Sequence, residues 1–155
     1  IVYEANIGPM TDSRMGLIVE IVELRAVVVN VHLPHGSERS AVLESFLLKA
    51  GASLNESSQF DVVLLAGDFN GTIDCGGFKF RNKSQEFFIH RPANQPKTCC
   101  EGTGSPLREG DMIMSSSESV HNVTNVHVDA SDHHPVHAFV RLRLRHETEV
   151  EVQQN

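Results

Sequence analysis

Residues Asp61 to Asn70 read Asp-Val-Val-Leu-Leu-Ala-Gly-Asp-Phe-Asn, an apolar run that ends in a carboxylate and a carboxamide two positions apart. In extended chain that spacing points both side chains the same way. Asp68 and Asn70 can then hold a proton, a water or an oxygen ligand of a metal ion between them. Alone, an Asp-x-Asn triplet more often marks a polar loop after a core strand. Company changes the weighing, because His32 closes another apolar run, Asp111 opens a third, and Asp132 and His133 stand just before the last. Carboxylates hold divalent cations and imidazoles move protons near neutral pH, so the set suits chemistry on a phosphate. It works only if the elements carrying these groups adjoin and gather them on one rim.

Those elements are legible from periodicity. Val62 to Ala66, bounded by Asp61 and Gly67, reads as a strand buried on both faces. Ile1 to Ala5 reads as a short strand and Asn6 to Ser13, with Gly8 and Pro9, as a loop. Leu17 to Val22 and Ala26 to Val31 are β-branched runs separated by three residues, which predicts consecutive antiparallel strands, and Pro34 places His32 at the second one's end. Val42, Leu43, Phe46, Leu47 and Ala50 recur at helical spacing, with Ser37 as the expected N-cap and Gly51 as the expected stop. Strand, helix and strand in that order permit a parallel pair without requiring it.

Further on, Phe78 and Phe80 alternate with Lys79, Arg81 and Lys83. Such interleaving can stack and clamp a nucleotide chain, although two inward-packed phenylalanines are the commoner outcome. Gln85 to His90 suits a short helix or strand, Pro92 to Glu109 a loop, and Met112 to Met114 a strand. Val120 to Val128 alternates loosely, with Val126 and Val128 on one side. Val136 to Arg145 places Val136, Ala138, Val140, Leu142 and Leu144 on one face and arginines on the other, the mark of an antiparallel strand with one buried face.

A chain of 155 residues, 40% apolar and 21% charged, has the size and composition of one globular domain. No apolar run approaches the roughly 20 residues of a membrane helix. The formal charge of −7 argues against a chain-wide electrostatic grip on nucleic acid, but leaves room for a local basic groove. Cys75, Cys99 and Cys100 lack the spacing of a zinc knuckle, and reduced thiols in an intracellular setting are expected. The domain is expected to occupy residues 1–145, followed by a disordered acidic tail at 146–155.

Val29-Asn30-Val31-His32-Leu33, Leu65-Ala66-Gly67-Asp68-Phe69-Asn70, Gly110-Asp111-Met112-Ile113-Met114-Ser115 and Ser131-Asp132-His133-His134-Pro135-Val136 follow one another in an order that resembles the endonuclease/exonuclease/phosphatase superfamily. Arg14-Met15-Gly16-Leu17 looks like its middle section, so the resemblance covers most of Arg14 to Arg145. It implies an α/β fold, a four-layer α/β/β/α sandwich of DNase I-like type, and Mg²⁺-dependent hydrolysis of phosphate esters, with Mn²⁺ as a substitute. By motif, Asp68 orients or deprotonates the attacking water and Asn70 helps place it. His133 contacts the phosphate, Asp111 orients His133, and His32 lies near the leaving group. Asp132, Asp68 and Asn70 form the metal side, while His134 has no family role and is expected to be solvated.

The resemblance also implies what the sequence does not contain. The family's first half, with the glutamate that is its chief magnesium ligand, has no counterpart upstream of Arg14, and Glu4 reads as an ordinary surface acid. The chain thus resembles the C-terminal half of such a domain, starting at Ile1 inside a strand, and its other half is expected in cis or as another chain. A nuclease acting on DNA or RNA is the leading expectation. The alternatives are an idle scaffold domain, or a phosphatase of inositol phosphates or phospholipids, although Arg108-Glu109-Gly110-Asp111 stands where 5-phosphatases carry Trp-Cys-Asp-Arg.

Overall fold

A computed structural model describes residues 2–142 apart from 12–13, 58, 74–76, 82, 95–96, 101–107, 118–119 and 127–130, with backbone alone for 2–11, 14–15 and 83–85. The expected tail at 146–155, Val128 and residues 143–145 of the expected last strand lie outside this set. Ten strands and one α-helix are described. They are β1 (Val2–Thr11), β2 (Arg14–Ile21), β3 (Ala26–His32), α1 (Arg39–Ser53), β4 (Val62–Asp68), β5 (Phe78–Phe80), β6 (Lys83–Gln85), β7 (Phe88–His90), β8 (Asp111–Ser115), β9 (Val120–Asn125) and β10 (Val136–Val140). Six of them form one mixed sheet in the order β1-β2-β3-β4-β8-β7, while β9 with β10 and β5 with β6 make two antiparallel ribbons.

The β-branched runs β2 and β3 pair antiparallel as expected, and β3 pairs parallel to β4 across the helical crossover. Alternation then sorts the side chains. Val27, Val29 and Val31 of β3, Val63 and Leu65 of β4, and Met112 and Met114 of β8 are buried against Leu43, Phe46, Leu47 and Ala50 of α1. Each large apolar side chain buried this way is worth about 1.5–3 kcal/mol, which makes the α1-covered face the core of the molecule. The opposite face carries Leu17, Val19, Val28, Leu64, Ala66 and Ile113, all only half-buried. Hence β4 is not buried equally on both sides, as its continuous apolar run suggested.

Several boundaries depart from expectation for physical reasons. The first strand does not end at Ala5 but reaches Thr11, because β1 is an edge strand whose irregular pairing between Asn6 and Thr11 accommodates Gly8 and Pro9. Helix α1 starts after Glu38 rather than Ser37 and has no side-chain cap. It also runs through Gly51 to Ser53, since Gly51 is a packing site where an added Cβ would stand 2.6 Å from the Arg81 backbone nitrogen. Phe78 and Phe80 are core residues, so neither ring is free to stack on a base. Cys99 and Cys100 are joined as a disulfide, not held as thiols, which removes the argument from cysteine usage for a reducing compartment. Among the described residues no helix is long and apolar enough to cross a membrane.

Candidate active site

Strand register assembles the polar groups. His32, the last residue of β3, pairs with Asp68, the last of β4, and Asp68 pairs in turn with Asp111, the first of β8. In-register partners share a face, so the three side chains form one row across the sheet on its open side. The His32 Nε2 lies 3.5 Å from Asp68 Oδ2. Glu4 pairs with Val19, which pairs with Val28, so its register row is four residues from the one that holds His32.

Two loops complete the arrangement. After β4 the chain turns sharply, with Gly67 at φ 135° and Asn70 at φ 52°. A Cβ at Gly67 would collide with the Val31 carbonyl oxygen, so only glycine fits this closest approach of β4 to β3. The Asn70 N–H donates to Asp68 Oδ1 at 2.7 Å, and its Nδ2 donates to the Leu33 carbonyl at 2.7 Å. Phe69, fully buried between them, anchors the turn in the core. The guanidinium of Arg39, at the start of α1, donates to the Asn70 carbonyl. From the other loop, His133 bonds Asp111 Oδ2 through Nδ1 at 2.8 Å, and its Nε2 lies 3.4 Å from Cys99 Sγ.

Of the residues expected from the sequence, Asp68, Asp111 and His133 come together, with ligand atoms all within 4.8 Å of one another. His32 and Asn70 adjoin Asp68. Asp132 is exposed and stands outside that cluster, its carbonyl taking the Cys100 N–H at 2.6 Å. His134, expected in solvent, is instead 1% exposed, because its N–H is drawn to the Thr98 carbonyl at 2.7 Å. Thr98, Cys99 and Arg39 were not singled out beforehand for this neighbourhood. The adjacent cysteines were the one visible signal, while Thr98 lies in a stretch without periodicity.

Electrostatics bind the pair of Asp111 and His133 together. Burial raises the Asp111 carboxyl above the ordinary carboxylate range and the Asp68 charge adds to this, against the opposing hydrogen bonds of His133 and Thr98. For His133, burial alone would favour the neutral ring. The hydrogen bond to Asp111 and the charges of Asp111, Asp68 and Asp132 outweigh it and raise the imidazole above its usual value. The ring so held has its Nδ1 on Asp111 and its Nε2 beside Cys99 Sγ. Mg²⁺ and Ca²⁺ take oxygen ligands, and the two carboxylates meet that requirement, whereas the His133 nitrogen facing them is engaged by Asp111.

No protein-family model matches the sequence, and no curated protein does. Solved structures do resemble the fold. The inositol polyphosphate 5-phosphatase domain of SPsynaptojanin, solved with inositol (1,4)-bisphosphate and a calcium ion, superposes with a TM-score of 0.60 at 14% identity over 89% of this chain and 53% of that one. CdtB, the biologically active subunit of cytolethal distending toxin, gives 0.58 at 17% identity over 90% and 56%, and truncated Caenorhabditis elegans TDP2 gives 0.51 at 16% over 89% and 64%. The fold is the DNase I-like α/β fold that these structures share. The chain spans between 53% and 64% of the length of these three structures of DNase I-like fold. Of the three, one is named as a phosphatase domain, and its structure holds a calcium ion.

Proposed function

We propose that the chain forms part of a Mg²⁺-dependent phosphodiesterase, a nuclease whose site is completed by a further segment in cis or on another chain. The observation that carries this reading is the row of His32, Asp68 and Asp111 with His133 bound to Asp111. Asp68 takes the proton of the attacking water and orients it. Asn70, whose backbone bond to Asp68 fixes that carboxylate, helps place the water and the phosphate. Asp111 holds His133 by Nδ1, and Nε2 would exchange its weak 3.4 Å contact with Cys99 Sγ for a phosphate oxygen as charge gathers there in the transition state. His32, half-exposed beside Asp68, serves the leaving group. Asp68 and Asp111, with Asn70 beside them, would hold the metal ion, while Asp132, expected on the metal side, stands outside that cluster. When bound, the ion supplies positive charge and Lewis acidity to the phosphate.

The phosphatase reading keeps the same residues and changes the substrate, and the inositol bisphosphate in the SPsynaptojanin domain is the observation that favours it. One experiment tests both. Mg²⁺ is titrated into the chain by NMR, and hydrolysis of bis(p-nitrophenyl) phosphate, a single-stranded oligonucleotide and an inositol polyphosphate is followed for wild type, Asp68→Asn and His133→Ala. Expected are shifts centred on Asp68 that Asp68→Asn abolishes, and diester turnover that is slow or absent and that either substitution removes where it is seen. Absence of Mg²⁺ shifts at Asp68, or turnover indifferent to both substitutions, would overturn the proposal. Preference for the inositol phosphate would replace the nuclease by the phosphatase.

A further inference from the structure

We propose that Thr98 is a positioning residue that locks Asp111 and His133 into register with each other. The inference deepens the hydrolytic reading and rests on it only for its consequence in catalysis. Asp111 opens β8, whereas His133 belongs to the loop before β10, and no continuous strand joins them. The connection runs through the segment 98–100. The Thr98 side chain, with no solvent exposure, accepts the Asp111 N–H at 2.8 Å and the Gly110 N–H at 3.4 Å, and its hydroxyl lies 3.3 Å from the Asp111 carbonyl to which it donates. Its own carbonyl accepts the His134 N–H at 2.7 Å, and two residues on the Cys100 N–H donates to the Asp132 carbonyl at 2.6 Å.

The segment therefore grips His133 by the backbone on both sides while the Thr98 hydroxyl grips Asp111. One residue sets the separation of two groups that must meet at hydrogen-bond distance. Loss of the hydroxyl leaves a part-buried Asp111 N–H without its acceptor, and a displacement of under an ångström suffices to break a 2.8 Å bond between Asp111 and His133. Valine matches the shape of threonine but lacks the hydroxyl, and serine restores the hydroxyl without the methyl.

The test reads the imidazole itself. In proton NMR of the chain, the low-field Nδ1–H signal of His133, assigned by its loss in His133→Ala, is compared in wild type, Thr98→Val, Thr98→Ala and Thr98→Ser. The expected result is loss of the signal in the valine and alanine variants and its retention in the serine variant, all with a dispersed amide spectrum. A folded Thr98→Val or Thr98→Ala chain that keeps the signal unchanged overturns the proposal. Should both fail to fold, hydrogen exchange of the unsubstituted chain decides. The amides of Asp111 and His134, both bound to Thr98, should share one opening free energy, and a His134 amide that exchanges freely beside a protected Asp111 overturns it. None of these readouts needs turnover. A Thr98-dependent signal in a chain whose Asp68 resonances do not respond to Mg²⁺ would refute the enzymatic reading and leave the positioning role standing.

Discussion

Replacing Gly67 by alanine tests the close approach on which the row depends. The added methyl would stand closer than 3.0 Å to the Val31 carbonyl oxygen, a backbone atom with no freedom to swing away. It would also put a side chain on a residue at φ 135°, a conformation that costs about 1–3 kcal/mol outside glycine. Relief requires β3 and β4 to separate at their ends, where Val31 faces Gly67 and His32 faces Asp68. Losing hydrogen bonds there adds about 0.5–1.5 kcal/mol each. The expected loss is about 3–5 kcal/mol, a large share of the 5–15 kcal/mol that stabilises a domain of this size. Urea unfolding followed by circular dichroism measures it, and any folded fraction should show the His32 and Asp68 signals displaced in NMR. A loss under about 1 kcal/mol with an unshifted spectrum would refute the claim that this contact sets the strand ends.

Other consequences are directly measurable. The His133 imidazole should titrate above the ordinary histidine value of about 6.5, and Asp111→Asn should lower that midpoint, because burial then acts against the charged ring with less opposition. Since the folded value is the raised one, the stabilisation from His133 is complete below about 6.5 and is lost as pH rises through the raised value, so unfolding free energy should fall across that interval. Alkylation of the denatured, unreduced chain should add one adduct, at Cys75, and three after reduction, by mass spectrometry. Phe69→Ala should cost about 3–5 kcal/mol in urea unfolding, since a fully buried aromatic is removed from beneath the Asp68 turn.

What could be read beforehand follows from which interactions are local. The helix showed itself through Leu43, Phe46, Leu47 and Ala50, all of which are buried, and β3 and β4 through apolar runs that end at His32 and Asp68. Both signals need only a period along the chain. Features that depend on a distant neighbour were misread. Gly51 looked like a helix stop because the Arg81 backbone that packs on it lies far along the sequence. His134 looked solvated because nothing in Ser-Asp-His-His announces the Thr98 carbonyl that turns it inward. The motifs named Asp68, Asp111 and His133 but were silent on how they meet, since register between β3, β4 and β8 is a property of the sheet.

The same register links the open face to the chemistry. Along β3 the side chains on that face are Val28, Asn30 and His32, and along β4 they are Leu64, Ala66 and Asp68, so each strand runs from apolar to ionisable as it approaches the rim. At about 3.3 Å per residue the step from Val28 to His32 is about 13 Å. On the proposed reading, a segment that buried Leu17, Val19, Val28 and Leu64 would come within a few residues of Asp68 and Asp111. Burial would exclude water from the apolar half-face while bringing new side chains to the polar rim. It would also lower the dielectric around Asp111 and His133, which strengthens their attraction and sharpens any field they exert on a phosphate. Sequence changes that weaken the apolar half-face, such as Val28→Asp, should impair the ionisable rim about 13 Å away without touching a single polar group there.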